Sequence, residues 1–292
     1  MRFGKKEMTR ERLLSGGNWA IVYIFVGFLV LFTALPLIYL VSTAFKPLSE
    51  LYIFPPQFFV KHPTTQNFRD LVLSLSSSAV PYTRYLFNSA FIATLTVFGT
   101  IMICTIGAYG LVKQRPTGSK VIFQVILAAL MFSPYVTQVP RYLIINGMGL
   151  VDHYAALILP AMASAYYFFL VKQFIEQMPD ELIEAARIDG AGEYRIYWQM
   201  IMPMLRPAWA TMFVFCFVAT WNDYFSPLIY LNEPALKTLP LALSTISGGG
   251  SSIGRAGAVS AATLLMTLPP IIVFSLMQRK VMQTMIYSGI KG

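Results

Sequence analysis

The chain has 292 residues, of which 56% are hydrophobic and 12% charged, with a mean hydropathy of +0.61. Soluble domains carry about 25% charged residues, so this balance excludes a soluble globular protein, and several apolar runs reach the roughly 20 residues that cross a bilayer. The net charge of +9 does not point to nucleic acid, because the basic residues sit mainly in loops between apolar runs, as the preference for Lys and Arg on the cytoplasmic side requires.

Residues 1–18 form a basic N-terminal segment with Arg2, Lys5, Lys6, Arg10 and Arg12. The apolar run Trp19 to Phe45 is too long for the core of a signal peptide and no small-residue cleavage site follows it, so it reads as an uncleaved first span. Residues 46–84 are more polar and dense in proline, which predicts an extended, ordered external loop with a short helix around Asn67 to Ser74. Tyr85 to Val112 is the second span, where Gly107 and Gly110 would permit close helix contact. The turn KQRPTGSK (113–120) is basic and therefore cytoplasmic. It lacks the Gly-Lys-Ser/Thr order and the preceding strand of a phosphate loop, which excludes ATP binding by that motif.

Val121 to Val139 reads as the third span, interrupted by Pro134 and ending at Pro140. A proline at membrane depth frees a carbonyl that neighbours or water must satisfy, so this helix is expected to face protein or a cavity. Arg141 to His153 is then a short external link containing GMGLVD, and Tyr154 to Val171 the fourth span. Trp209 to Leu231 is the fifth span, an external loop covers 232–257, Ala258 to Met277 is the sixth span with Pro269 and Pro270 inside it, and 278–292 is a basic tail. Of the 22 Lys and Arg residues, fifteen fall in segments that this topology puts in the cytoplasm and seven outside, which places both termini inside.

Between the fourth and fifth spans lies a charged insertion, 172–207, built as two short helices and a hinge. Pro179 suits a helix start, and Asp180 and Glu181 put negative charge at the positive end of the dipole. The first helix should end near Asp189 with Gly190 as the left-handed residue, and the second should run from Glu193 to Met202 and stop at Pro203. Ala185 and Ala186 leave a smooth patch flanked by Arg187 and Asp189.

Three blocks in this insertion, Glu184-Ala185-Ala186, Asp189-Gly190-Ala191 and Met200-Ile201-Met202-Pro203, resemble the "EAA" loop of ABC-importer permeases, with Met200 and Met202 where that family usually has Ile and Leu. FKPLSELYIFPPQF with PTTQNF (63–68) is similar to the first external loop of the carbohydrate-type members. The ending MIYSGIKG is similar to their tails, except that Thr284 and Ser288 replace frequent glycines. The resemblance is to the second permease of maltose-type importers. It implies an all-α, polytopic type I importer permease of six transmembrane helices, one peripheral and five forming a core, in a bacterial plasma membrane. It also implies a partnership with a second homologous permease, two ATPase subunits and an external solute-binding protein, with ATP and Mg held by the ATPases and no cofactor in this chain.

On that resemblance Glu184, Ala185, Ala186, Arg187, Asp189, Gly190, Ala191 and Pro203 would dock on the ATPase, whereas the residues alone also allow a Glu184–Arg187 pair within the helix. Trp221, Asn222, Asp223 and Tyr224 either hold a sugar by stacking and hydrogen bonding or form an interfacial aromatic belt with Asn and Asp capping a helix break. Ser247, Gly248, Gly249, Gly250 and Ser251 are either a loop that reaches into the binding protein or a flexible turn. Cys104 and Cys216 fall inside spans and read as packing residues, and two distant histidines give no metal site. No catalytic constellation is present, and acidic residues are nearly absent from the spans, which disfavours an ion-coupled transporter. A permease for another solute, such as a polyamine or an amino acid, has the same features.

Overall fold

The computed structural model describes residues 4–76, 80–247 and 256–289. The described residues are helices, turns and coil, with no strand among them. They divide into two units, one formed by Met1–Leu71 with Ser251–Leu264 and the other by Val72–Gly250 with Leu265–Gly292.

In the first unit, α1 (Gly4–Ala44) is a 41-residue helix whose apolar side chains from Trp19 to Val41 are largely exposed on all sides. A helix apolar all round suits lipid, where no other face needs hiding. Its end is closed by the proline-rich segment. After α2 (Leu48–Leu51) the chain returns, and the Thr64 N–H donates to the Phe45 carbonyl at 2.8 Å. Asn67, at the start of α3 (Gln66–Ser76), donates its amide to the carbonyls of Ala44 at 2.9 Å and Lys46 at 2.7 Å. The side chain of Asn67 thus serves the orphan carbonyls of a helix C-terminus. Glu50 is buried and accepts the N–H groups of Lys61 and His62, both at 3.0 Å, and Lys46 donates to the Gln57 carbonyl. Asn67, Glu50 and Lys46 thus order the loop as buried polar groups with backbone partners.

In the second unit, α4 (Tyr82–Tyr109) is central and continues as a π turn, Gly110–Gln114. It packs on α7 (Ala155–Met162), α8 (Ala165–Glu176) and α12 (Arg206–Asn222). The close approach predicted at Gly107 is real, since a Cβ there would stand 3.0 Å from the Phe168 ring, but Gly110 has open space. Gly99, which the sequence did not single out, meets Met162 and could hold no side chain without moving it. Cys104 and Cys216 are buried free thiols in this core. Asn88, fully buried, donates to the carbonyls of Ala235 and Lys237 at 2.9 Å and accepts from the Tyr154 hydroxyl at 2.6 Å.

Among the described residues, four helices are long and apolar enough to cross a membrane, within Trp19–Ala44, Tyr82–Gln114, Ala155–Glu176 and Ala256–Met282. Two bent pairs bring the number to six if each is one span. The third span, expected to be interrupted at Pro134, is built as α5 (Ser119–Leu130) and α6 (Pro134–Gly147), bent by 109°. Pro134 starts α6, where its missing N–H costs nothing, and Pro140 lies inside the helix that it was expected to terminate. The segment from Arg141 is therefore helical as far as Gly147 and not a link. The fourth span also runs on to Glu176, beyond the expected Val171.

Candidate functional site

The insertion after α8 folds as two helices and a hinge. Pro179 is the cap residue of α9 (Asp180–Ile188), so Asp180 and Glu181 occupy the first turn. Ile183 is buried and anchors α9 to the core. At the other end the N–H of Gly190 donates to the Arg187 carbonyl at 3.0 Å and that of Ala191 to the Ala186 carbonyl at 2.9 Å. These two bonds with Gly190 at φ +80° make the Schellman closure that the glycine was expected to supply. The second helix departs from expectation. It begins as α10 (Glu193–Ile196), widens into a π turn at Tyr197–Ile201 and passes through α11 (Met202–Met204) before the chain bends by 73° into α12. Pro203 sits inside α11 and the break falls at Leu205.

One face of this pair is covered and the other open. Ile183, Ile196, Tyr197 and Ile201 are buried, whereas Ile188 is 86% and Tyr194 78% exposed, with Leu182, Trp198 and Met204 also outward. Leu182, Ala185 and Ile188 follow at spacing three and form one stripe. Glu184 is exposed with no partner among the described residues, and Ala185 is exposed beside a half-buried Ala186. Arg187 does not bond Glu184; its Nε donates to Glu193 at 2.8 Å. Asp189 caps α9 and is exposed. The sequence reading named the alanines and charges but passed over Leu182, Ile188 and Tyr194. A period of three with Ala185 was the available signal.

Beyond the other end of α12, a cleft of about 620 Å³ opens. Asn222 and Asp223 line it, together with Tyr135, Arg141, Ser226, Tyr230 and Thr238, none of which sequence reasoning had brought together. The Thr238 hydroxyl is buried there without a partner among the described residues. Asp223 accepts the N–H groups of Phe225 at 3.0 Å and Ser226 at 3.1 Å, capping α13 (Phe225–Tyr230) at the helix break. Trp221 is 2% exposed, its ring stacked on Phe217 and its N–H committed to the Met266 carbonyl. Tyr224 is exposed outside the cleft lining. Ser247 ends α14 (Leu239–Ser247), while Gly248, Gly249, Gly250 and Ser251 lie outside the described residues. No cluster of three metal-ligating side chains occurs among the described residues.

Residues 100–287 match the family described as binding-protein-dependent transport system inner membrane component. The sn-glycerol-3-phosphate transport system permease protein UgpE of Escherichia coli O1:K1 / APEC is 30% identical over 272 residues, covering 91% of this chain and 96% of that protein. UgpE of Pectobacterium atrosepticum is 35% identical over 214 residues, covering 73% and 76%. Among solved structures, a chain of a bacterial ABC transporter involved in the import of the acidic polysaccharide alginate superposes with a TM-score of 0.79, covering 91% of this chain and 97% of that one. At 22% identity this last likeness speaks for the fold. The chain therefore belongs to the family of binding-protein-dependent transport system inner membrane components and is a permease of the ABC-importer kind.

Proposed function

We propose that the chain forms one half of the translocation pathway of a carbohydrate-class importer, beside a second, homologous permease, and that its 180–204 loop docks on an ATPase subunit in the cytoplasm. The observation that carries this reading is the open apolar stripe on a loop whose opposite face is packed into the core. Leu182, Ala185, Ile188 and Tyr194 have no cover among the described residues, and exposed apolar patches of this sort mark contact surfaces. Glu184 stands beside the stripe as an unpaired carboxylate for a cation on the partner, and Ala185 lets the partner's backbone come close.

Two ATPase subunits would hold the ATP and Mg, and closure of the pair would carry the loop with it. The permease then shifts between outward- and inward-facing states by as much as the ATPase binds the two differently. A binding protein outside the membrane delivers the solute, and the chain enters and leaves the membrane from the cytoplasmic side. The 620 Å³ cleft, where Asn222, Asp223 and Arg141 offer donors and acceptors, is this chain's share of the solute pathway. The carbohydrate class is supported by relatives named for sn-glycerol-3-phosphate, a phosphorylated sugar alcohol.

The test is solute-stimulated ATP hydrolysis and uptake by the reconstituted complex, comparing native chain with Glu184→Lys and Ile188→Ser. Burying an aliphatic side chain contributes about 1.5–3 kcal/mol, so Ile188→Ser is expected to weaken ATPase association roughly 10- to 100-fold. Normal association and uptake by both variants would overturn the docking surface.

A further inference from the structure

Both helices of the 180–204 loop begin with a carboxylate, and both carboxylates are held by the same short stretch at the end of α4. Asp180, the first residue of α9, accepts from Lys113 Nζ at 2.6 Å and from Arg115 Nη2 at 2.7 Å. Glu193, the first residue of α10, accepts from the Tyr109 hydroxyl at 2.6 Å and from Gln114 Nε2 at 3.3 Å through one oxygen. Its other oxygen takes Arg187 from the last turn of α9. The two loop helices are thus tied to α4 separately and to each other once.

The π turn makes this possible. In an α-helix residues four apart stack, whereas an i to i+5 turn brings residues five apart onto one side. Tyr109 and Gln114 stand five apart across Gly110–Gln114 and converge on Glu193. Lys113, one residue earlier, is turned toward Asp180 and also donates to the Met178 carbonyl at 2.6 Å. One donor to each carboxylate is fixed by packing: Tyr109 is buried and the Lys113 side chain is only 3% exposed. Exposed ion pairs contribute little because two long side chains must be ordered to make them. Here the core has already ordered one donor to each carboxylate, Lys113 for Asp180 and Tyr109 for Glu193, while Gln114 and Arg115 add to them from the surface. Each acceptor also lies at a helix N-terminus, where the dipole favours its charge.

We propose that the π-turned end of α4 is the joint through which movement of the loop enters the membrane spans, with Asp180 and Glu193 as its two positioning residues. Two points of attachment stop the loop from pivoting about either one, so a displacement of the loop becomes a displacement of α4, the helix on which α7, α8 and α12 pack. Ile183, Ile196 and Ile201 hold the loop folded without the carboxylates, so the joint governs how motion is transmitted and not whether the loop forms. This inference rests on the loop being the ATPase docking surface.

The experiment uses the complete importer in liposomes with Asp180→Asn, Glu193→Gln, the two together, and Tyr109→Phe alone and with Glu193→Gln. ATPase association, solute-stimulated hydrolysis and uptake are read in the same preparation. The expected result is retained association and hydrolysis with uptake reduced, so that ATP consumed per solute rises in the Asp180→Asn, Glu193→Gln pair by roughly fivefold, the low end of ordinary coupling free energies. Tyr109→Phe should add nothing to Glu193→Gln. An unchanged ratio in the paired variant overturns the joint, as does a fall in hydrolysis and uptake that merely follows lost association. If Glu184→Lys and Ile188→Ser also leave association intact, the docking reading has failed. If they abolish it while the ratio stays native in the paired variant, only the joint has failed.

Discussion

The indole N–H of Trp221 donates to the main-chain carbonyl of Met266 at 3.0 Å, and Met266 lies four residues before Pro270 in α15 (Ala256–Gly289). A proline inside a helix removes the hydrogen bond that the carbonyl four residues earlier would have accepted. Trp221 therefore supplies the donor that Pro270 cannot. At membrane depth no water takes up such a carbonyl, so the end of α12 is fastened to the proline site of α15.

Replacing Trp221 with Phe keeps a ring to stack on Phe217, 5.5 Å away between centroids, and removes the donor. The expected loss is about 1 kcal/mol, the ordinary size of an interhelical hydrogen bond in a membrane. Thermal unfolding of the purified complex in nanodiscs should shift to lower temperature, while the solute concentration giving half-maximal uptake stays native. A raised half-maximal concentration with unchanged melting would show that the ring contacts solute.

Gly190 sits at φ +80° with nothing within 4 Å of where a Cβ would lie, so any penalty at this position comes from the backbone alone. A non-glycine residue in this region costs roughly 1–2 kcal/mol, less for Asn, whose short polar side chain tolerates it. Gly190→Asn should retain most uptake, and Gly190→Val should lose most of it with ATPase association weakened. Equal activity of the two variants would show that the left-handed turn does not position the loop.

How much of this was legible in the sequence depended on whether the signal was local. The α9 helix, its acidic first turn and the Gly190 closure follow from residues next to one another, and the structure has them where expected. The bends did not show. Pro134 in an apolar run reads as an interruption within one span, and only the packed structure makes it the first residue of a new helix at 109° to the last. Pro203 was read as the stop of the second helix, and the helical run from Glu193 ends one residue beyond it, at Met204, before the 73° bend. Pairings across the sequence were beyond reach: Glu184–Arg187 fits helical spacing, but Arg187 turns across the hinge to Glu193. The exposure of Ile188 belongs to the same class, since apolar residues beside a membrane segment are not distinguished by type.

Asn67 and Gly257 meet in the same way across a long stretch of chain. A Cβ on Gly257 would stand 2.1 Å from the Asn67 side-chain oxygen, and Asn67 cannot withdraw because its amide closes the end of α1. Asn67→Ala leaves the carbonyls of Ala44 and Lys46 without that donor, at about 1–3 kcal/mol for a buried group. Gly257→Ala displaces the same side chain. The double variant should be less destabilised than the sum of the two singles, because removing the Asn67 amide vacates the space that the new methyl needs. Thermal unfolding of the three variants provides the cycle, and strict additivity would mean that the two positions do not share this contact.

Asp180 gives the loop a defined response to acid. Its carboxyl is held below the ordinary value first by the hydrogen bond from Lys113, then by the charges of Lys113 and Arg115. A lowered folded-state value means that the carboxylate stabilises the fold at any pH above the unfolded value, and that this contribution disappears as pH falls through the folded one. An unperturbed Asp titrates near about 3.9. The melting-temperature difference between native chain and Asp180→Asn should therefore be constant above roughly pH 5, shrink below about pH 4, and vanish under the folded value. The joint is then fully charged at neutral pH, and its coupling does not vary there with protonation of this residue. A difference that grows on acidification would place the opposite sign on the interaction and overturn the Lys113–Asp180 pair as a stabilising contact.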